Sequence, residues 1–284
     1  MKSSAKKIEL ASVDDLFSTE EGRQDAKLEK IQEIPLSELH PFKNHPFKVK
    51  DDEAMMETAD SIKQYGVLVP AIARPDPEGG YELVAGHRRH RASELAEKET
   101  MPVIVRDLDD DVATIIMVDS NLQRESLLPS ERAFAYKMKL EAIKHQGERS
   151  DLTSRQVGER WSVSQISEAG TDSERQIHRY IRLTHLLPDI LKLVDEGKIA
   201  LTPAVELSYL LPSEQEMLFS VMDSDEVTPS LSQARRLRRM SEAQTLTDDA
   251  VLQLLSEVKG NQVEYVKVPV DKLRSFFRPD PSMK

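Results

Sequence analysis

The run Gly86-His87-Arg88-Arg89-His90-Arg91-Ala92 packs one glycine and three arginines into six positions. A glycine lets an oxyanion approach the backbone closely, and arginines offer planar, paired donors that match phosphate oxygens. If such a run opens a helix directly after a strand, the unbonded first-turn amides add a partial positive charge. The chemistry is that of a polyphosphate cradle. The glycine spacing fits neither a Walker A loop nor a Rossmann fingerprint. The competing reading is a helix with a solvated basic end, its arginines paired to nearby carboxylates. A second run, Ser120-Asn121-Leu122-Gln123-Arg124-Glu125, ends just before Leu128-Pro129. Asn121 has an oxygen suited to a phosphate-bound magnesium ion, which prefers hard ligands. An Asn that only caps a helix end fits equally well. No residue pattern designates a catalytic group.

A third pattern lies further on. Ser162–Ala169 reads as a short helix, Gly170-Thr171-Asp172 as a turn, and Ser173 to about Leu187 as a second helix. Ser173 and Gln176 have capping-box spacing. At about 100° per residue, Arg175, His178, Arg179 and Arg182 share one face, and Ile177, Tyr180, Ile181 and Thr184 the opposite one. A basic front and an apolar back after a glycine turn is the layout of a DNA recognition helix. Arginine can read guanine, and the other polar residues can hold phosphate, so Ser173, Arg175, Gln176, His178, Arg179 and Arg182 are the candidate DNA contacts. The alternative is a surface helix whose charges only solvate.

The elements that must position these groups follow from pattern and punctuation. Asp51–Tyr65 is a predicted helix, with Asp51 or Asp52 as N-cap, Met55, Ala59, Ile62 and Tyr65 in helical register, and Gly66 ending it. Val67–Arg74 is extended, 75–80 is a turn and Tyr81–Ala85 a strand. A helix over His87–Lys98, a strand over Met101–Leu108 and a helix over Asp109–Gln123 complete an α/β pattern. Order is expected to begin at Ile34. After Pro129 the pattern is helical (Ser130–Gln146, then short helices to about Leu255), apart from a polar loop over Gly147–Ser162 and a strand over Val263–Val270. His40 and His45 sit in a proline-punctuated loop and read as surface residues.

The 284 residues carry no cysteine, which excludes a disulfide scaffold, an iron–sulfur cluster and a thiol nucleophile. No apolar core follows the basic N-terminus, so no signal peptide is expected, and no apolar stretch is long enough for a membrane span. The net charge of −11 argues at first against nucleic acid. Its distribution argues otherwise. Residues 86–91 net +3, 173–192 net +2 and 231–240 net +4, leaving −20 on the other 248 positions. The 231–240 run fits a solvated helix face as well as a DNA backbone contact.

Taken in order, Ser61-Ile62-Lys63-Gln64-Tyr65-Gly66 with Pro70, the Gly86–Ala92 box, Asn121-Leu122-Gln123-Arg124-Glu125 and the helix-turn-helix resemble the ParB family of chromosome and plasmid partition proteins. The match spans roughly residues 34–210 and is strongest to the ParB-type proteins of plasmids and integrative elements. The resemblance implies an α+β chain: a flexible tail over 1–33, a ParB/sulfiredoxin-like α/β nucleotide domain over 34–128, an all-α helix-turn-helix domain over 129–210, and a helical region of unassigned role over 211–284. It implies a CTP-dependent DNA clamp loaded with Mg2+. Gly86, His87, Arg88 and Arg89 would then hold the triphosphate, Asn121 would face the metal, and Gly66 to Pro70 would lie beside the base. It further implies a palindromic centromere-like site on double-stranded DNA, a homodimer, a ParA-type ATPase engaging the N-terminal tail, and a cytoplasmic, nucleoid- or plasmid-associated location. Three positions depart from the family: His87 and Ser120 each stand where Glu is usual, and Val69 where Gln is common. The loss at Ser120 weighs against CTP hydrolysis more than against binding. The rival readings are a ParB-like repressor without a nucleotide switch and a ParB-like nuclease; sulfiredoxin chemistry needs a cysteine that this chain lacks.

Overall fold

The computed structural model describes residues 30–124, 127–150, 163–164, 166–168 and 172–257. The expectations for residues 1–29, most of the 147–162 loop, the Gly170-Thr171 turn and the 263–270 strand fall outside these residues. The chain divides into two compact units, 1–181 and 182–284.

The first unit opens with a five-stranded sheet. Its strands are β1 (Ile31–Pro35), β2 (Leu39–Pro41), β3 (Ala71–Pro75), β4 (Tyr81–Ala85) and β5 (Thr100–Val105), in spatial order β1-β5-β3-β4-β2. β1 pairs antiparallel with β5 and β3 antiparallel with β4, while β3 with β5 and β2 with β4 are parallel. β1 thus starts three residues before the expected Ile34. β4 is buried on both faces, as its apolar Leu83-Val84-Ala85 run requires. Leu83 packs with Ile34, Met101 and Val103, and Val84 with Phe42, Phe47, Met117 and Val118. Each such side chain removed from water contributes roughly 1.5–3 kcal/mol.

Four helices lie on this sheet or follow from it. α1 (Glu53–Tyr65) starts where the Asp52 carboxylate accepts from the Met55 amide and stops at Gly66, whose φ of 74° only glycine adopts readily. Its Met55, Ala59 and Ile62 pack on Ala92 and Ala96 at α2 (His87–Leu95). α3 (Asp110–Leu122) is capped by Asp109, which accepts from the Val112 amide. α4 (Pro129–Ser150) packs Ala135 against Ala113, Met117 and Val118 of α3, and Lys139 pairs with Asp119. α4 runs four residues into the expected polar loop.

Residues 163, 164 and 166–168 are helical, and α5 (Glu174–Leu183) follows. Fully buried Ile177 packs with Tyr136, Leu140, Val163 and Ile166, so α5 is seated on α4 through the apolar back read from sequence. α5 ends four residues short of the expected Leu187. That residue precedes Pro188, whose ring disfavours helical backbone at the position before it, and Leu187 is extended with φ −59° and ψ 146°.

The described part of the second unit is helical: α6 (Pro188–Asp195), α7 (Leu201–Leu207), α8 (Pro212–Ser224), α9 (Leu231–Glu242) and α10 (Asp248–Ser256). Two buried glutamines knit it together. Gln215 accepts from the Leu187 amide and donates to the carbonyls of His185 and Leu210, and Gln233 donates to the Leu254 carbonyl. No helix among the described residues is long and apolar enough to cross a membrane.

Candidate nucleotide and DNA sites

Gly86 links β4 to α2 with φ 110° and ψ 17°, a left-handed conformation at the helix N-cap. A Cβ there would lie 2.9 Å from the Ala71 Cβ of β3, so the turn needs glycine twice over. No side chain caps α2. Its first-turn amides therefore remain for an external acceptor, at the positive end of the helix dipole.

The arginines of the turn are held differently. Arg91 is bidentate to Asp51 at 3.0 and 2.6 Å and also reaches Glu94 at 2.9 Å; it holds Asp51 below the usual carboxylate range. Arg88 has one long contact, 3.5 Å to Asp52. Arg89 is half-buried and donates from one nitrogen to the carbonyls of Val69 and Pro70, at 2.5 and 2.7 Å. It thereby ties the loop after Gly66 to the Gly86 turn, joining two segments that sequence places 20 residues apart. Burial lowers its pKa, yet a guanidinium stays charged at any biological pH.

His87 faces inward. Its Nε2 accepts from the Phe42 amide at 3.3 Å, and its ring stacks on His45 with centroids 3.8 Å apart. Burial first, then the positive charge that His45 and His90 would carry, pushes its pKa down to about 3, so it is neutral near pH 7. His45 is not the surface residue expected: it is half-buried, donates from Nδ1 to the Phe47 carbonyl, and has its pKa lowered by burial. His40 is exposed. On α3, Asn121 donates its amide nitrogen to the Met117 carbonyl at 2.9 Å, which leaves its oxygen for a cation. The same α3 residues that pack on Val84, two positions before Gly86, lie one turn before Asn121.

The second candidate site is α5. Ser173, Arg175 and His178 are exposed, while Gln176 and Arg179 are half-buried. The Ser173 hydroxyl accepts from the Gln176 amide at 3.4 Å, and Arg179 donates to the Gln176 side-chain oxygen at 3.1 Å. Arg182 is turned elsewhere. It donates to the Ser208 hydroxyl and carbonyl at 3.1 and 2.6 Å and lies 4.0 Å from the centroid of the Tyr209 ring, which Arg238 flanks at 3.7 Å. The structure thus brings together five of the six expected DNA contacts, while the sixth, Arg182, is engaged by Ser208 and Tyr209. Of the 231–240 arginines, Arg235 and Arg238 pair with Glu206 and Arg236 with Glu257.

Asp172, just before α5, is a feature the sequence did not mark. Its carboxylate accepts from Arg132 at 3.0 Å and from the Tyr136 hydroxyl at 2.6 Å, both on α4. Burial, then this carboxylate, raises the Tyr136 pKa. Partners 36 and 40 residues away leave no local signal.

Comparison with known proteins decides the family. Residues 20–122 match the ParB N-terminal domain. The chain is 33% identical over 208 residues to the chromosome-partitioning protein Spo0J of Thermus thermophilus, covering 73% of this chain and 70% of that protein. The chain belongs to the ParB family. It is also 36% identical over 177 residues to the stage 0 sporulation protein J of Bacillus subtilis, covering 62% of this chain and 57% of that protein. It thus spans little more than half of that ParB relative. A C-terminally truncated ParB from Caulobacter crescentus, solved in complex with CTP-gamma-S, is 27% identical over 63% of this chain and 92% of that one, with a TM-score of 0.32. In this chain the ParB box sits on an uncapped helix N-terminus, with Arg88 loosely held, Arg89 on the neighbouring loop and His87 turned into the body.

Proposed function

We propose that this ParB-family chain is a sequence-specific DNA-binding partition protein whose N-terminal domain works as a CTP-switched clamp. The observation that carries the reading is the Gly86 turn, a left-handed glycine pressed on β3 at the mouth of an uncapped, arginine-rich helix. The first-turn amides and Arg88 are the groups for the phosphates. Asn121 offers a protein oxygen to Mg2+, an ion that usually takes most of its ligands from phosphate and water. The bound nucleotide would supply the ligand energy that separates open from closed states. Ser120 carries no carboxylate to activate water, so any hydrolysis is slow.

Residues 34–128 form the nucleotide domain in this reading and 129–210 the DNA-binding domain, with 211–284 a further helical region. Ser173, Arg175, Gln176, His178 and Arg179 meet the DNA. The partners are a palindromic centromere-like duplex, a second copy of the chain, and a ParA-type ATPase engaged by the N-terminal tail. The protein works in the cytoplasm on nucleoid or plasmid DNA.

A retention assay tests the clamp. A duplex enriched from a random library supplies the site, placed on a closed circle and on the same DNA linearised. The clamp reading expects salt-resistant retention on the circle only, and only with CTP and Mg2+. Retention that ignores both nucleotide and topology would make the chain a plain repressor.

A further inference from the structure

We infer that the arginine face of α9 is a second DNA contact, which grips backbone phosphates beside the bases that α5 reads. The inference rests on the DNA reading above and adds a surface that lies outside the helix-turn-helix.

The 231–240 run carries four arginines and neither a lysine nor an acid. Arginine is the cation whose planar fork fits two phosphate oxygens at once. Buried Gln233, Ala234 and Leu237 turn one side of α9 inward. Arg235, Arg238 and Arg239 stand on another side, at the i, i+3, i+4 spacing of a single helical face. With Glu206 of α7 and Glu242 they line a cleft of about 260 Å3. Glu206 accepts from Arg238 at 3.0 Å and from Arg235 at 3.5 Å, and Glu242 accepts from Arg238 at 2.8 Å. These carboxylates fix two guanidinium groups in place and use only part of their donors, since each guanidinium has five N–H bonds. Arg239 is exposed and pairs with no carboxylate among the described residues. Three cations face two anions, so the cleft keeps surplus positive charge together with positioned donors, which is what a phosphate requires.

The Tyr209 ring puts this face beside the end of the recognition helix. Arg182 of α5 and Arg238 of α9 share that ring, at 4.0 and 3.7 Å from its centroid. Arg182 sits eight residues after Glu174, about 12 Å along the helix at about 1.5 Å per residue. The major groove is itself about 12 Å wide, and a recognition helix reads bases with its N-terminal residues. The C-terminal end of α5 therefore emerges at the rim of the groove, where the phosphates run. α9 stands at that end.

Salt and phosphate chemistry separate this contact from a helix face that is merely solvated. Fluorescence anisotropy of the full chain measures binding to the library-enriched duplex and to a scrambled duplex of equal length, from about 50 to 200 mM salt. Ethylation interference on the enriched duplex marks the phosphates that the protein needs. The variants are Arg239→Gln, Arg235→Gln/Arg239→Gln, and, as a control on the neighbouring face, Arg236→Gln, whose side chain is engaged by Glu257. Circular dichroism melts check that each is folded. Arg239→Gln should weaken both duplexes by the same factor, roughly threefold, and the double variant roughly tenfold, with the slope of log affinity against log salt shallower by about 0.9 per arginine. The phosphates that α9 holds should drop out of the interference pattern while the others stay. Arg236→Gln should change affinity by less than about twofold. A loss confined to the enriched duplex overturns the inference, because it marks a base contact. An unchanged salt slope or an unchanged phosphate pattern overturns it as well. So does an equal loss in Arg236→Gln, which marks a general effect of charge. Arg239→Gln decides the matter by itself where the second substitution disturbs the pair with Glu206. A native chain that binds neither duplex overturns the DNA reading itself, and this inference with it.

Discussion

Replacing Gly86 by alanine places a methyl group 2.9 Å from the Ala71 Cβ and 3.3 Å from its Cα. Ala71 is fully buried, and β3 is hydrogen-bonded to β4 on one side and β5 on the other, so the strand cannot retreat without loosening both. Two costs add. A non-glycine residue in a sparsely populated backbone region costs roughly 1–3 kcal/mol. Overpacking a tight core by one methyl costs roughly another 1–3 kcal/mol. The sum, about 2–6 kcal/mol, corresponds to a melting temperature lower by roughly 4–24 °C for a unit of this size. Thermal melts of Gly86→Ala, Ala71→Gly and the double variant separate the terms. The steric part should return as a favourable coupling of about 1–2 kcal/mol in the double variant, because the Ala71 methyl is the nearest obstacle. The backbone part should not return. Nucleotide affinity should fall at least tenfold in both the single and the double variant that carry Gly86→Ala. A Gly86→Ala protein that melts within about 2 °C of the native chain and binds nucleotide normally would refute both the steric account and the cradle.

Three further outcomes follow from other contacts. Asp172→Ala leaves Arg132 and the Tyr136 hydroxyl without their shared acceptor; it should cost about 1–3 kcal/mol in urea unfolding and weaken DNA binding, while nucleotide affinity stays within twofold, and normal DNA affinity would show that these two hydrogen bonds do not position α5 for DNA. Arg175→Ala takes away an exposed charge on α5 and should weaken cognate DNA by about 1–3 kcal/mol at fixed salt; equal losses on cognate and scrambled duplexes would show a phosphate contact instead of a base contact. His87 is neutral in the fold to about pH 3, whereas the unfolded chain takes up a proton below its ordinary pKa of 6.5. The unfolded state therefore binds more protons between those values, and stability falls with falling pH across that window by up to roughly 1.4 kcal/mol per pH unit. Urea midpoints at pH 7, 6 and 5 should show a shallower decline for His87→Gln, and parallel declines would dismiss His87 as the cause.

The alternation of strand and helix over residues 51–122 was readable because its boundaries are chemical: Asp52 and Asp109 cap, while Gly66 and Gly86 turn. β1 and β2 left no such trace. Each is a short edge strand with one well-buried residue, Ile34 or Leu39, too few for a period of two to show. The helical wheel of α5 identified the buried back correctly, since Ile177 has no exposure at all. It assigned Arg182 to the front because a wheel gives direction and no partner; Ser208 and Tyr209 lie 26 and 27 residues away in sequence. The same limit explains His45, whose stacking on His87 spans 42 positions, and Arg89, whose carbonyl acceptors belong to a loop with no side-chain signature. The arginine box announces its charge in sequence, but which arginine is spent on the fold and which is left for a ligand is a property of the folded chain.

If the Gly86 turn binds a nucleotide, DNA binding should answer to it. Calorimetric titration of the chain with the magnesium salts of CTP, UTP, ATP and GTP, each with and without its cognate duplex, measures this directly. CTP should bind more tightly than the other three, and cognate DNA should change its affinity. Absence of binding by all four, or equal binding of all four unaffected by DNA, would contradict it.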